Sequence, residues 1–194
     1  MMIVFLAAGC GQGQQTGQNT KEAGAGAETA SPEGKTLKKL WATPQELAIP
    51  ESVCCGKAGD VLYVANIAGK PTEKDGVGFI SRVSAEGEIL EKKWAKGLDA
   101  PKGMAVWDGA LYVSNIDELV EIDLATGAIE ARYALEGAEF ANDVAVNQAG
   151  DVFVSDMAST RIYRLHGGKA AVWLDDSSLH KPNGLFALPE RLMI

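Results

Sequence analysis

The sequence lacks the features that mark several large classes of protein. Its 18 Lys and Arg residues face 26 Asp and Glu residues, which gives a formal net charge of −8, and it has no run of basic residues. Nucleic acids and anionic membrane surfaces are therefore poor partners, because both are bound through clustered positive charge. After the first nine residues, no apolar run approaches the roughly 20 residues that a membrane-spanning helix needs. No segment repeats apolar residues at helical spacing over about 11 positions, which argues against a long amphipathic helix.

Residues for metal, redox and nucleophilic chemistry are also scarce. The chain has only three Cys and two His. Cys54 and Cys55 are adjacent, a spacing that strains an ordinary disulfide, and no CxxC pair or nearby His completes a zinc-type set. We interpret both as small strand residues, with a thiol site or a vicinal disulfide as the alternative. No Gly-rich phosphate loop, nucleophile elbow or Ser/His/Asp set is evident.

The N-terminus is apolar and ends in a recognisable motif. Residues 1–9 are followed by Cys10, and the segment Leu6–Cys10 resembles the lipobox of bacterial lipoproteins. The resemblance implies a partial signal peptide over 1–9, cleavage before Cys10 and lipidation of Cys10. The protein is then expected in the cell envelope, anchored to a bacterial membrane only through its lipid and facing the periplasm or the exterior. An apolar N-terminus with an incidental Cys is the alternative.

The composition between Cys10 and residue 35 is rich in Gly, Gln, Thr, Ala and Ser. Residues 11–34 contain no large apolar side chain, so they cannot bury enough surface to offset the entropy of ordering. We predict a flexible linker over 10–35 and an extended, unpacked conformation for residues 1–35 as a whole. The folded part is predicted to span 36–194.

An internal repeat organises the folded part. Four similar segments begin at Pro50, Pro101, Ala141 and Pro182, at intervals of about 40 residues except for a first interval that is about ten residues longer. Each is followed by an apolar triplet, and these triplets are Leu62–Val64, Leu111–Val113, Val152–Val154 and Leu192–Ile194. A segment with period-two alternation and a more polar segment come next. Three polar residues that follow the triplets are predicted to hydrogen-bond loop backbone within each repeat: Asn66, Asn115 and Asp156.

Four short strands per period, separated by turns that contain Gly and Asp, are typical of propeller blades. We therefore predict an all-β propeller of which about three and a half to four blades are present. A β-sandwich is the alternative, but a sandwich does not predict similar segments at a fixed period. The longer first interval indicates an insertion, Ala68–Gly76, whose Gly, Pro and charged residues are typical of a surface loop.

The repeat is incomplete at both ends. Lys38–Trp41 precedes Pro50 much as Val172–Trp173 precedes Pro182, so it resembles the outer strand of a blade that lacks its other three strands. A propeller can close its ring by adding such a strand to the last blade, which removes exposed edges. The sequence stops inside a predicted second strand, and we expect the propeller to be incomplete at its C-terminus.

Several motifs of this repeat occur in a characteristic order. The blade starts read Pro-Glu-Ser-Val, Ala-Pro-Lys-Gly-Met-Ala, Asn-Asp-Val-Ala and Pro-Asn-Gly-Leu, and they occur with Leu-Tyr-Val-Ser-Asn-Ile and Ile-Tyr-Arg-Leu. In this order they resemble the senescence marker protein/gluconolactonase (regucalcin-like) family, over roughly Thr36 to Ile194. The resemblance implies a six-bladed propeller with one divalent cation at one end of the central channel. It also implies hydrolysis of sugar lactones. Calcium is the expected cation, with magnesium, manganese and zinc as alternatives.

The candidate site residues occupy one position of the repeat. The second residue of each segment is predicted to begin an innermost strand and to face the axial mouth; these residues are Glu51, Lys102, Asn142 and Asn183. A carboxylate and two carboxamides offer the hard oxygen ligands that Ca²⁺ and Mg²⁺ prefer. The resemblance implies that Glu51 and Asn183 bind the metal and that Asn142 contacts the substrate. Lys102 either pairs with Glu51 or binds an anionic part of the ligand.

The catalytic residue is not identified by these positions. The resemblance places the metal-binding Asp of the family, its proposed general base, beyond residue 194. It also places a substrate-contacting Arg of some members at Phe140, so that contact is absent here. Asn183 has a simpler interpretation as the turn residue of Pro-Asn-Gly, and Asp143 as a turn cap.

Two functions remain open at this point. One is a metal-dependent hydrolase of a sugar lactone in the cell envelope, with the cation polarising the carbonyl and activating water. The alternative is a non-catalytic propeller scaffold that binds a ligand or a protein partner on one face.

Overall fold

The computed structural model describes residues 4–7 and 38–194. A two-stranded ribbon comes first in the chain, in which β1 (Val4–Ala7) pairs antiparallel with β2 (Lys38–Ala42). Three four-stranded antiparallel sheets follow, each with its strands in sequence order. We call them blades I, II and III. Blade I contains β3 (Pro50–Cys55), β4 (Val61–Asn66), β5 (Gly78–Ser84) and β6 (Ile89–Leu98).

Blade II contains β7 (Pro101–Trp107), β8 (Ala110–Asn115), β9 (Glu118–Asp123) and β10 (Ile129–Ala134). Blade III contains β11 (Ala141–Val146), β12 (Val152–Asp156), β13 (Arg161–His166) and β14 (Lys169–Asp175). A half-blade of β15 (Phe186–Leu188) and β16 (Arg191–Met193) ends the described chain. The predicted repeat of four strands is confirmed, with three complete blades and half of another. A ring of six blades stays a prediction.

Helical structure is nearly absent from the described residues. A single 3₁₀ turn, Ser177–Leu179, lies between blade III and the half-blade. No helix in this part of the chain is long and apolar enough to cross a bilayer. The prediction that no long helix forms within the repeat is therefore confirmed.

Local sequence explains how each blade turns back on itself. Between β7 and β8 the chain reverses through Asp108 and Gly109, whose φ angles are 44° and 82°. Positive φ at both central residues is the condition for a two-residue turn whose twist matches the flanking strands, and Asp-Gly meets it at low cost. The pairing of Trp107 with Ala110 across this turn fixes the register of the hairpin.

The hydrophobic core lies between blades. One cluster fills the space between blades I and II with side chains of both, including Tyr63, Trp94, Leu111 and Ile122. A second cluster does the same between blades II and III. Each fully buried Leu or Ile of these clusters contributes roughly 1.5–3 kcal/mol relative to exposure, so neighbouring blades stabilise each other. The innermost strands β3, β7 and β11 pack side by side.

Strand β2 occupies the outer-strand position of a blade that precedes blade I. Trp94, in the outer strand of blade I, packs on Gly127 of blade II so closely that a Cβ there would lie 3.0 Å from the Trp ring. Trp41 packs on Gly87 of blade I in the same way, and a Cβ at Gly87 would overlap its ring. The resemblance of Lys38–Trp41 to an outer strand is therefore confirmed by its packing.

The predicted N-terminal segment is described only in part. Val4–Ala7 forms β1, so the expectation that residues 1–35 stay unpacked is wrong for these four residues. The physical reason is that they form an apolar run and meet the free edge of β2, which offers unpaired backbone groups. Cys10 and the predicted linker over 10–35 lie outside the described residues.

Candidate ligand site at the axial mouth

The inner strands of blades I to III begin in the same register. The first residue of β3, Pro50, pairs with Asn66, and the equivalent pairs in blades II and III are Pro101 with Asn115 and Ala141 with Asp156. The residue that follows each is therefore at an equivalent place: Glu51, Lys102 and Asn142. Because the three strands pack side by side, these residues lie together at one end of the inner strands, which we call the axial mouth.

The polar residue that ends each second strand holds the loop that leads into its blade. Asn115 Oδ1 accepts from the backbone N–H groups of Asp99 and Ala100, both at 3.0 Å. Asn66 accepts from Ala48 at 3.0 Å. Asp156 Oδ2 accepts from Glu139 at 2.7 Å and from Phe140 at 2.9 Å. The prediction that these residues bond loop backbone is confirmed, and all three are fully buried.

Glu51 presents an exposed carboxylate at the mouth. Partial desolvation by the surrounding strands raises its pKa, and the negative charge of Asp143 adds to this, whereas Lys102 lowers it. Lys102 and Asp143 therefore both lie within electrostatic reach of Glu51. Among the described residues, no Lys, Arg or His forms an ion pair with Glu51.

Lys102 is buried instead of facing the mouth. Its side chain and backbone are only 1% exposed. The ammonium donates to the carbonyl oxygens of Pro71 and Ala100, each at 3.1 Å, and lies 4.4 Å from the ring centroid of Phe140. Burial lowers the pKa of Lys102 to about 8, with Glu51 and Asp156 opposing the shift. The expected pair with Glu51 is therefore not a direct contact.

Asn142 is also enclosed, with 7% exposure. Its backbone carbonyl accepts from the hydroxyl of Ser114. The side-chain amide has no hydrogen-bond partner among the described residues. The amide atoms are not among the buried unpaired ones, so they reach solvent, where water or a ligand can bond them.

Asn183 departs from the predicted geometry. Strand β15 begins at Phe186, so Asn183 lies ahead of the strand and not within it. The reason is that β16 pairs only with Phe186–Leu188, which leaves Asn183 without a ladder partner. Its side chain is exposed, and its backbone carbonyl accepts from Ser155 Oγ at 2.6 Å.

A series of hydroxyl groups joins consecutive blades behind these residues. Ser114 bonds the carbonyl of Asn142, and Ser155 bonds that of Asn183. Blade I has Ala65 at the equivalent position, and Ser52, which pairs with Ala65 across the ladder, bonds the carbonyl of Lys102 instead. Sequence reasoning missed this link. Ser directly before Asn115 and Asp156 was the only available signal.

Asp143 also acts between blades. Its carboxylate accepts from the backbone N–H of Leu185 at 2.7 Å, 42 residues along the chain. The expectation that Asp143 caps a local turn is therefore wrong. Its hydrogen-bond partner lies in the next repeat. The carboxylate thus helps to place the segment that carries Asn183.

The site offers some, but not all, of what a hard cation needs. Glu51 and Asn142 supply a carboxylate and a carboxamide of the right chemical type. The described residues contain no cluster of three or more His, Cys, Asp or Glu side chains placed to hold a metal. The positive charge of Lys102 acts on Glu51 and opposes a cation bound there.

A separate cavity of about 870 Å³ lies at the other end of β3 and β7. Its lining includes Cys54, Cys55, Met104 and Trp107. Both thiols are free, and both residues lie in β3, as interpreted from the sequence. Burial raises the pKa of Cys54 to about 11, and the neighbouring Cys55 adds to the shift. Cys54 is therefore a poor nucleophile at neutral pH, because the thiolate is the reactive form.

Comparison with known proteins bears on the fold. No family model and no curated protein matches the sequence. A catalytically inactive virginiamycin B lyase from Staphylococcus aureus, in complex with quinupristin, is similar with a TM-score of 0.59 and 14% identity. The match covers 80% of this chain and 50% of the lyase, so the chain spans about half of that protein.

Two further enzymes show the same likeness. The PQQ-bound aldose sugar dehydrogenase from Streptomyces coelicolor has a TM-score of 0.57 at 17% identity, over 82% of this chain and 60% of that one. Glutaminyl cyclase from Myxococcus xanthus has a TM-score of 0.53 at 15% identity, and the match covers 80% of this chain and 70% of the cyclase. These propeller-like proteins differ in chemistry and do not single out the gluconolactonase family. At such identities the likeness shows the fold alone, and that fold is a β-propeller.

Proposed function

We propose that the axial mouth binds a divalent cation with a small, oxygen-rich ligand, and that the reaction is hydrolysis of a sugar lactone or a similar ester. The amide of Asn142 carries this proposal, because it forms no side-chain hydrogen bond with the described residues, reaches solvent and shares its strand position with the exposed carboxylate of Glu51. A site that pairs a hard anionic donor with an unsatisfied amide suits a polar ligand better than an apolar one.

The residues have separate roles in this proposal. Glu51 is the anionic ligand of the cation, and Asn183 is a second ligand. The bonds of Ser155 to the Asn183 carbonyl and of Asp143 to the Leu185 N–H support this role. Asn142 orients the carbonyl or hydroxyl groups of the substrate. A bound cation supplies a Lewis acid that polarises the lactone carbonyl and lowers the pKa of water. Calcium is proposed first, since it accepts oxygen ligands in flexible geometry, with magnesium, manganese and zinc as alternatives.

Calorimetric titration with each of the four cations tests the metal site. We expect Ca²⁺ to release or absorb heat with the parent protein and to bind at least about tenfold more weakly to Glu51→Gln, which removes the anionic ligand. Glu86→Gln, at the exposed turn between β5 and β6, is the matched control and should leave binding unchanged. Absence of heat with all four cations would rule out the metal site.

Hydrolysis of D-glucono-1,5-lactone by the natural full-length chain tests the finer proposal. Acid release is followed with a pH indicator, before and after treatment with a chelator. Hydrolysis that Glu51→Gln and the chelator both abolish supports the lactonase. Hydrolysis at the rate of buffer alone, in a protein that binds a cation, would contradict it.

A non-catalytic scaffold is the second candidate, and Lys102 favours it. Its positive charge acts on Glu51 and competes with a cation for that carboxylate. A mouth with a carboxylate and a solvent-accessible amide, and with a buried ammonium within electrostatic reach of the carboxylate, can bind a polar ligand without metal. Metal-independent ligand binding without turnover would distinguish this candidate from the hydrolase.

A further inference from the structure

The loop between β4 and β5 reaches from blade I onto blade II. Residues 70–76 of this insertion are exposed, as the sequence predicts for a surface loop. The loop is nevertheless tied to its neighbour: Lys74 Nζ pairs with Asp117 at 2.6 Å, and the N–H of Gly76 donates to Asp99 Oδ1 at 2.9 Å. Asp99 lies two residues before the inner strand of blade II, and Asp117 lies in the turn between β8 and β9.

The loop covers the ammonium of Lys102. The carbonyl of Pro71 accepts one of its N–H groups at 3.1 Å, and Ala100 and the ring of Phe140 occupy its remaining surroundings. Among the described residues, no carboxylate lies within the 4.0 Å that defines an ion pair with this ammonium. Lys102 is therefore a buried cation that only neutral groups contact, an arrangement that is costly unless a charged partner becomes available.

Backbone conformation marks both ends of the covering segment. Ala68, where the insertion begins, has a φ of 58°, and Gly76, where it ends, has a φ of 67°. Between them the loop makes few backbone bonds of its own, the weakest being Glu73 N to Lys70 O at 3.4 Å. Exposed residues with few internal bonds open locally at low free-energy cost. The contacts with Lys102, Asp99 and Asp117 hold the middle and the end of the segment, and its start is held by the N–H of Ala68, which donates to the carbonyl of Ala48 at 3.0 Å.

We propose that segment 68–76 is a lid over the axial mouth and that Lys102 is its latch. A small ligand that bears a carboxylate opens the lid by replacing the Pro71 carbonyl on the Lys102 ammonium. The exchange is favourable because a carboxylate adds a direct charge–charge attraction to the buried ammonium, whereas the carbonyl offers only a dipole. The inference rests on the proposed function only in placing the ligand at the axial mouth.

Limited trypsin digestion measures opening of the lid. Cleavage after Lys74 reports the open state, and cleavage after Lys57, in the exposed turn between β3 and β4, is the internal reference. The probe is sodium D-gluconate, a hydroxycarboxylate, with neutral D-glucose as the matched control. A chelator is present throughout and no lactone is added. Cleavage of a transiently opened segment follows the population of the open form when closing is fast.

We expect gluconate, but not glucose, to accelerate cleavage after Lys74 by about tenfold relative to cleavage after Lys57. The acceleration should equal the increase in the population of the open lid. Lys102→Met should be cleaved fast without gluconate and should not respond to it. Asp117→Asn, which loosens only the Lys74 contact, should be cleaved faster but should still respond.

Equal cleavage of the parent with and without gluconate would overturn the proposal. So would a gluconate response that persists in folded Lys102→Met. If circular dichroism shows that Lys102→Met does not fold, the parent and Asp117→Asn decide, and no response in both would refute the latch. Because no metal and no lactone are present, the lid can fail while the hydrolase stands, and the hydrolase can fail while the lid stands.

Discussion

The hydroxyl of Ser155, in blade III, donates a hydrogen bond of 2.6 Å to the backbone carbonyl of Asn183, at the start of the following half-blade. Ser114 bonds the carbonyl of Asn142 in the same way. Asn142 and Asn183 are thus each held by the blade before them. The position of the axial site depends on the packing between blades as much as on the inner strands themselves.

Ser155→Ala should lower the free energy of unfolding by about 1–3 kcal/mol. The hydroxyl is fully buried, donates to Asn183 and accepts from the N–H of Asp143 at 3.0 Å, so its loss leaves two backbone groups unpaired. Urea unfolding measures the effect. Ser159→Ala is the control, because its buried hydroxyl has no partner among the residues that the structure describes and its removal should cost little. Equal losses in the two variants would contradict the interblade role of Ser155.

Asp156→Asn should also destabilise the protein, although blades I and II carry Asn at this position. Asp156 accepts four backbone bonds, two through each oxygen, including those from Ala158 and Ser159 at 2.9 and 2.7 Å. An amide has only one acceptor oxygen, so its NH₂ group would face two N–H donors. A loss of about 1.5–3 kcal/mol is expected by urea unfolding. A neutral result would mean that the carboxylate is not required.

The buried ammonium of Lys102 should make stability depend on pH. Its pKa in the folded state, about 8, lies below its usual value of 10.5. Between these values the unfolded chain binds more protons than the folded one, so stability rises with pH. Lys102→Met is the reference that cancels other titrating groups. Relative to Lys102→Met, the free energy of unfolding of the parent should increase by up to about 3 kcal/mol between pH 8 and pH 10.5. It should change little below pH 8. A pH-independent difference in urea unfolding would contradict the burial of a charged Lys102.

Cys10→Ser tests the proposed lipid anchor. The lipobox-like segment predicts that the parent, expressed in a bacterial host, partitions with membranes and incorporates radiolabelled palmitate. The variant should lose the label and move to the soluble fraction, because lipidation would be the only link to the membrane. Cys55→Ser, which removes an exposed thiol of the propeller, is the control and should behave like the parent. Identical partitioning of Cys10→Ser and the parent would show that no anchor is attached there.

The repeat and its strands could be predicted from the sequence alone. Period-two alternation, turn dipeptides such as Asp108-Gly109 and the fixed spacing of similar segments are local features, and local features are sufficient to specify a blade. The capping roles of Asn66, Asn115 and Asp156 could be predicted for the same reason, since each bonds a loop of its own blade.

The arrangement of side chains at the axial mouth, in contrast, depends on tertiary contacts between blades. Alignment placed Glu51, Lys102 and Asn142 at one position of the repeat, but it could not show that Lys102 lies under the carbonyl of Pro71, 31 residues away. Nor could it show that Ser52 replaces the hydroxyl missing at Ala65. These contacts join different blades, and their energies depend on burial and on distances between residues remote in sequence. No local pattern encodes them, because the same residue type at the same repeat position can be exposed in one blade and buried in the next.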